Sequence, residues 1–248
     1  MKNLVLIFMA AVLLFACQSA QDKMSDAADT ATDMASDAAD AATDVVDGAA
    51  DAAGEMMDDA ANAIAGTYED IKSALGENAM SITEGSSINW KATKAIGGGH
   101  EGTVGVSDGS ISMNDSKISG AFTVDMTSMA VTDISAEEGA GDLIGHLSSP
   151  DFFDIANNPT ANLVFTDIAV GDGGAFSGMA RLDIKGMTSY NEISGNISKS
   201  DAGTMANVSM SFDRTAHEVM YGSAKLTDAV KDKIIDDTVS LSGQLIFN

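Results

Sequence analysis

Across residues 87–247 apolar side chains alternate with polar ones in short runs, and clusters of Gly, Asn, Asp and Ser cut those runs apart. A period of two sends successive side chains to opposite faces, so each run reads as a strand with one face for a core and one for water. Residues 88–92 open the series. Gly97-Gly98-Gly99-His100 turns the chain into 103–106, and Asp108-Gly109 turns it again into 111–113. Further strands are predicted at 121–126, 162–170, 174–185, 192–199, 207–214 and 239–247. Many short antiparallel strands with no long helix between them predict an all-β sandwich or an up-and-down barrel.

Three segments break the alternation. Over 68–80, Tyr68, Ile71, Ala74 and Leu75 share one helical face and Gly76 supplies a stop. Over 142–154, Leu143, Ile144, Leu147, Phe152 and Phe153 are too bunched for a half-exposed strand and suit one or two helical turns, with Ser149 capping a turn that starts at Pro150. Over 226–235, Leu226, Val230, Ile234 and Ile235 have helical spacing, with Thr227 or Asp228 as the cap. Each of the last two segments is suited to closing one end of a barrel.

In an eight-stranded barrel the interior takes packed side chains or one small ligand. The apolar members of the alternating pairs are Trp90, Phe122, Val124, Leu163, Phe165 and Leu182, followed by Ile184, Val208, Met210, Phe212, Leu241 and Leu245. These are the candidate lining residues. A solid core produces the same alternation. Small residues share those registers: Ala92 with Trp90, Gly120 with Phe122, Gly178 and Ala180 with Leu182, Gly243 with Leu241. Small inward residues predict a void, and an apolar void suits a hydrocarbon chain better than water.

The amino-terminal quarter has a different character. Of 37 acidic and 13 basic side chains, giving a net charge of -24, no Lys or Arg falls between Met24 and Gly66. That balance argues against nucleic acid, and against an anionic membrane face, as a charge-driven partner. Residues 25–35 (SDAADTATDMA), 36–46 (SDAADAATDVV) and 47–57 (DGAADAAGEMM) repeat at a period of 11. Eleven residues close three helical turns at about 3.67 per turn, near the natural 3.6. Ala27, Ala28, Ala31, Met34 and Ala35 then form a stripe, while Asp26, Asp29, Asp33, Asp37 and Asp40 follow the other face. Alanine favours that helix; like charges three and four residues apart oppose it. The segment is an Ala/Asp-rich spacer, helical or disordered, or alternatively a helix that meets a partner through its Ala and Met stripe.

Lys2, the apolar run 4–15 and Leu14-Phe15-Ala16-Cys17 resemble a bacterial lipoprotein signal. The resemblance implies cleavage before Cys17 and acylation of its thiol, which anchors the chain to a membrane without a polypeptide span. As the only cysteine, Cys17 makes no intramolecular disulfide. Domain organisation follows: a signal at 1–16, the acylated spacer at 17–66, a short helix or linker at 67–80, and the barrel at 81–248.

Neither a P-loop nor a His-Glu-x-x-His motif occurs. His100, His146 and His217 lack metal-ligand spacing, and loop hydrogen bonds are the expectation for the first two. A converging zinc or haem site with Asp151 or Glu101 is the alternative. Arg214 suits a barrel-mouth ion pair, and Asp236-Asp237 reads as a turn and cap before the last strand, with weak calcium binding as its other reading.

Several stretches carry a family resemblance. His146-Leu147-Ser148-Ser149-Pro150-Asp151-Phe152-Phe153-Asp154-Ile155, then Asn158-Pro159-Thr160-Ala161 and the strand 163–166, resemble the signature of the YceI-like polyisoprenoid-binding proteins. Trp90-Lys91, Gly99-His100-Glu101-Gly102-Thr103 and Phe122-Thr123-Val124-Asp125-Met126 match upstream. Downstream, residues 178–188, Phe212-Asp213-Arg214-Thr215, Tyr221-Gly222-Ser223 and Ile235-Asp236-Asp237 match in order. The resemblance covers 81–248. Where the family often has Arg-Asp before the His-Leu pair, this chain has Ile144-Gly145, so no role of that arginine transfers.

The resemblance implies an eight-stranded antiparallel, lipocalin-like barrel around a long apolar tunnel holding an isoprenoid chain. The expected function is a membrane-anchored extracytoplasmic carrier or scavenger of a lipid or isoprenoid, with no cofactor and no metal. Arg214, Lys185 and Tyr221 are the candidates to meet a headgroup at the mouth. The alternative is an envelope interaction or structural lipoprotein working through the acidic repeat. A peptide of residues 25–61 should gain helicity by circular dichroism on going from pH 7 to pH 3, as protonation removes the repulsion between its carboxylates; unchanged helicity contradicts the charge argument.

Overall fold

The computed structural model describes residues 57–59, 61–62, 64–76, 79–200, 203–225 and 234–248. Cys17, the acidic repeat up to residue 56, and residues 226–233 of the third helical segment lie outside the described residues. Helix α1 (Tyr68–Ala74) leads into β1 (Met80–Ser81), β2 (Ser87–Lys94), β3 (Gly99–Asn114) and β4 (Lys117–Val131). Helix α2 (Ala140–Ser148) sits in the next connection, before β5 (Thr160–Ala169), β6 (Ala175–Ile184), β7 (Met187–Ser200), β8 (Gly203–Asp213) and β9 (Ile235–Phe247).

From β2 to β9 each strand pairs antiparallel with the next, and β9 pairs back onto β2, so eight strands close as an up-and-down barrel. Closure removes the open edges that a flat sheet would expose. The seam is longer than β2 can cover. Beyond Ser87 the gap between β3 and β9 is filled by β1, with Met80 opposite Ile111, and by Ser81, whose N–H and carbonyl both bond Asn248 at 3.1 Å.

Two long strands replace the shorter ones expected. Asp108-Gly109 does not turn the chain; it lies inside the 16-residue β3, just after a bulge between Val106 and Asp108. Gly109 serves a different purpose there. A Cβ on it would stand 2.3 Å from Phe122 Cδ1, so the glycine gives the ring its place. Asp236-Asp237 likewise belongs to β9 instead of preceding it, because Asp236 accepts from Thr93 on β2 and Asp237 from Arg214.

The α2 segment also differs in detail. Its helix starts two residues before the expected 142 and ends at Ser148, and Ser149 closes it: Ser149 Oγ donates to the His146 carbonyl at 2.8 Å. The serine is the C-terminal cap of α2, and its carbonyl also accepts from Phe152 N at 3.0 Å, which opens the expected turn at Pro150. Tight turns then bring Phe152 and Phe153 back over the barrel end, with Phe153 N donating to Leu147 O at 3.1 Å.

Helix α1 ends where the sequence indicates, Leu75 capping it and Gly76 following at φ 79°. Its start is a reciprocal capping box: Thr67 Oγ1 accepts from Asp70 N, and Asp70 Oδ2 accepts from Thr67 N at 2.8 Å. Ile71 and Leu75, with Ile64, pack onto Ala121 and Val164 on the outside of β4 and β5. Ala74, expected on the same face, is exposed. Arg181 of β6, only 7% exposed, fixes the approach by donating to the carbonyls of Ile64 at 3.0 Å and Gly66 at 2.6 Å. The barrel therefore has an inner core and a smaller outer one.

The inner core has two levels. Away from α2, Phe122, Phe165, Phe176, Ile193 and Phe247 form one layer with Ile111, Ile118 and Ile197. Near α2, Met126, Ile155, Leu182, Ile184, Met210, Phe212 and Val239 form a second. The expected voids beside the inward glycines are absent. A Cβ on Gly120 would meet Phe165 at 2.7 Å, on Gly178 Ile168 at 2.8 Å, and on Gly243 Ile88 at 2.6 Å, so neighbouring side chains already occupy those places.

Trp90 lies across Gly102 in the same way. A Cβ on Gly102 would fall 1.8 Å from the Ala130 carbonyl oxygen and 2.7 Å from Trp90 Cζ2. Because a backbone group has to move, Gly102→Ala should cost about 3 kcal/mol in urea unfolding, the upper range for overpacking. Gly141→Ala, with nothing within 4 Å in the exposed first turn of α2, should stabilise by about 0.5–1 kcal/mol.

Candidate ligand cavity

Two cavities stack along the barrel interior, one of about 140 Å³ toward α2 and one of about 50 Å³ beyond it. All twelve residues that alternation directs inward border them. Trp90, Val124, Leu163, Leu182, Ile184, Val208, Met210, Phe212 and Leu241 line the larger cavity. Phe122, Phe165 and Leu245 line the smaller, where Val124, Leu163 and Val208 appear again. Ala92 and Ala161 also line the larger cavity.

Other parts of the wall escape alternation. Leu147, Phe152 and Phe153 come from α2 and the turns after it, and Val219 from the loop after β8; together they cover the α2 end. On β7, Ile193 joins the wall, but Ser189 and Asn191 share its face and dilute the apolar signal. Trp90 Nε1 is buried with no hydrogen-bond partner. Arg214 and Ser242 also border the space, but the surface that faces it is apolar and offers ligand groups dispersion and desolvation.

The three mouth candidates all gather at the α2 end, with different capacities. Arg214 is 2% exposed, and its five N–H groups are all used: Nε to Asp236 O, Nη1 to Val219 O and Tyr221 O, Nη2 to Ile235 O and Asp237 Oδ1, at 2.7–3.3 Å. It pairs with Asp237, as a barrel-mouth ion pair, and ties the loop at 219–221 to the start of β9. No donor is left for a headgroup. Lys185 Nζ donates to Phe152 O at 3.0 Å and Glu218 O at 3.2 Å, which leaves one of its three N–H groups. Tyr221, 50% exposed, meets His146 edge to face at 4.6 Å and Phe152 at a tilt at 5.2 Å between ring centroids, forming an aromatic rim.

The histidines take separate partners. His100 Nδ1 meets Asp133 at 3.0 Å, and His146 Nε2 meets Asp151 at 3.5 Å. His217 is fully buried against Phe212, its Nδ1–H donating to Met187 O at 3.1 Å while Nε2 accepts from Ser189 Oγ at 2.8 Å. Burial pushes the His217 imidazole below its ordinary value, against the opposing effect of its backbone bonds, and it packs as a neutral ring. No group of three metal-ligating side chains occurs among the described residues.

A family model described as the YceI-like domain matches residues 81–247, about two thirds of the chain. The chain belongs to the YceI-like family. Among solved structures, BcnA of Burkholderia cenocepacia aligns with a TM-score of 0.53 at 21% identity, over 65% of this chain and 95% of BcnA. A polyisoprenoid binding domain from Saccharophagus degradans, implicated in plant cell wall breakdown, gives 0.48 at 16% identity, over 68% of this chain and 97% of that one. The Campylobacter jejuni YceI protein gives 0.42 at 15%, over 58% and 84%. The likeness to BcnA shows a shared fold. No match was found among curated proteins.

Charge at the mouth of this YceI-like barrel has a pH signature. Burial alone would raise the Asp213 carboxyl, but hydrogen bonds from Thr215 and Lys225 outweigh it and bring it down to about 2. A carboxyl lowered on folding stabilises the native state above its unfolded pKa of about 4, and that contribution is lost as pH falls toward 2. Lys225 and Asp213 are both well exposed, so the effect is modest. Asp213→Asn should flatten the fall in stability between pH 4 and pH 2 seen by urea titration; an unchanged slope contradicts this assignment.

Proposed function

We propose that this protein is a lipid-binding protein of the cell envelope, held at a membrane through acylated Cys17, whose barrel sequesters or carries an amphiphile with an isoprenoid or acyl tail. The observation that carries the reading is the cavity of about 140 Å³ inside the barrel, whose exposed surface is apolar. Removing a hydrocarbon from water into such a space is favourable by about 25 cal/mol per Å² of ligand surface, offset by ordering of a flexible tail. Nothing in that wall recommends catalysis. The larger cavity lies at the end that carries the Lys185 ammonium and the Tyr221 phenol, which suit a polar headgroup, while the tail occupies the interior.

Membership of the YceI-like family and the polyisoprenoid binding attributed to its Saccharophagus degradans relative agree with this class of ligand. The lipoprotein-like signal ending at Cys17 supports an extracytoplasmic site of action, and the outer membrane or periplasmic face is the favoured location. With a net charge of -24, the chain gains nothing from an anionic lipid surface, so anchoring rests on the acyl chains.

Trp90 is the only tryptophan and lies in the cavity wall, which makes it an internal reporter. Delipidated protein titrated with geraniol should show a saturable change in Trp90 emission, and organic extraction of protein purified from its own host should release about one amphiphile per chain, observed by mass spectrometry. An unchanged emission together with an empty extract overturns lipid binding.

A further inference from the structure

The two cavities are separated by little. Ile88, Val124, Leu163, Ile193 and Val208 border both, so a single ring of aliphatic side chains forms a waist between them. The lower cavity has a firm floor. Phe122 stands 6.1 Å from both Phe165 and Phe247 by ring centroids, and each of the first two rings lies in a slot that only a glycine leaves open. A Cβ on Gly109 would be 2.3 Å from Phe122 and one on Gly120 would be 2.7 Å from Phe165. Phe176 is seated on Gly195 in the same manner, at 2.7 Å. Aromatic rings locked against backbone have no free direction in which to swing. The waist has no such lock at Leu163 or Ile193, since both border open space above and below.

We infer that this waist sets the length of tail the barrel accepts, a conclusion that rests on the lipid-binding reading above and makes it specific. The upper cavity, at about 140 Å³, is close to the roughly 150 Å³ apolar cavity that holds one benzene, so it takes a tail segment of roughly six to ten carbons. A longer chain has to part the waist side chains to reach the lower 50 Å³, and there it meets the phenylalanine floor. The ligand class is therefore an amphiphile with a short to medium tail, and the side chains at positions 163 and 193 are specificity determinants. Neither donates a bond to the ligand; both act by the volume they occupy.

The test is calorimetric titration of delipidated protein with straight-chain carboxylates of increasing length. Affinity should rise about fourfold per methylene, the effect of burying each CH₂, and level off at about ten carbons. In Ile193→Ala the break should move to tails roughly two to four carbons longer, as the two spaces merge. Ile193→Val, which removes one methyl group and leaves the fold least disturbed, should move it in the same direction by less. Circular dichroism confirms that each variant retains its barrel, and the valine variant decides the matter where the alanine variant unfolds. An unbroken rise through sixteen carbons in the unmodified protein, or a break that stays in place in a folded variant, overturns the waist while leaving lipid binding intact. Failure of every carboxylate to bind overturns both.

Discussion

Everything in this domain depends on β9 returning to pair with β2. Without that seam the inward face of the sheet would be an open apolar surface, and the cavities would be grooves filled with water. Their walls come from strands far apart in sequence: Trp90 stands opposite Leu241 across the seam, and Ile193 opposite Met210 on the other side of the barrel. The closing strand is also held by the buried Arg214, which bonds the carbonyls of Ile235 and Asp236 at its start. A guanidinium with every donor satisfied is an economical device at this position. It joins the loop after β8 to the seam and keeps its charge out of the oily interior.

Glycine governs how much of that interior remains open. Where a glycine faces inward, a large side chain from an adjacent strand has settled on it, as Phe165 has on Gly120 and Phe176 on Gly195. The lower barrel consequently keeps only the cavity of about 50 Å³. Ala92 and Ala161, by contrast, line the larger cavity.

This explains what the sequence discloses and what it conceals. Strict alternation at Phe122 and Val124, Leu163 and Phe165, or Met210 and Phe212 announces both the strands and their inward face, and family-like motifs identify the barrel. Residue-by-residue alternation has no way to show which inward small residue is occupied by a neighbour, because that depends on cross-strand register. Asp108-Gly109 misleads for the same reason: its dipeptide signature belongs to turns, whereas the glycine is fixed by a ring on β4. Ile193 is masked by Ser189 and Asn191, whose polarity is satisfied by one another and by His217. The outer core was hidden too, since Ala121 and Val164 occupy positions where an isolated barrel meets solvent, and only the docking of Ile64, Ile71 and Leu75 accounts for them.

That outer attachment has a mechanical consequence. Arg181 grips two carbonyls of the incoming chain, and the apolar cluster beneath α1 lies directly beside that grip. Tension arriving along the backbone from the amino-terminal side meets these contacts before it meets any strand. The load is shared between the two Arg181 bonds and the apolar cluster, so it enters the wall at β4 to β6 and reaches β1 only once these contacts give way.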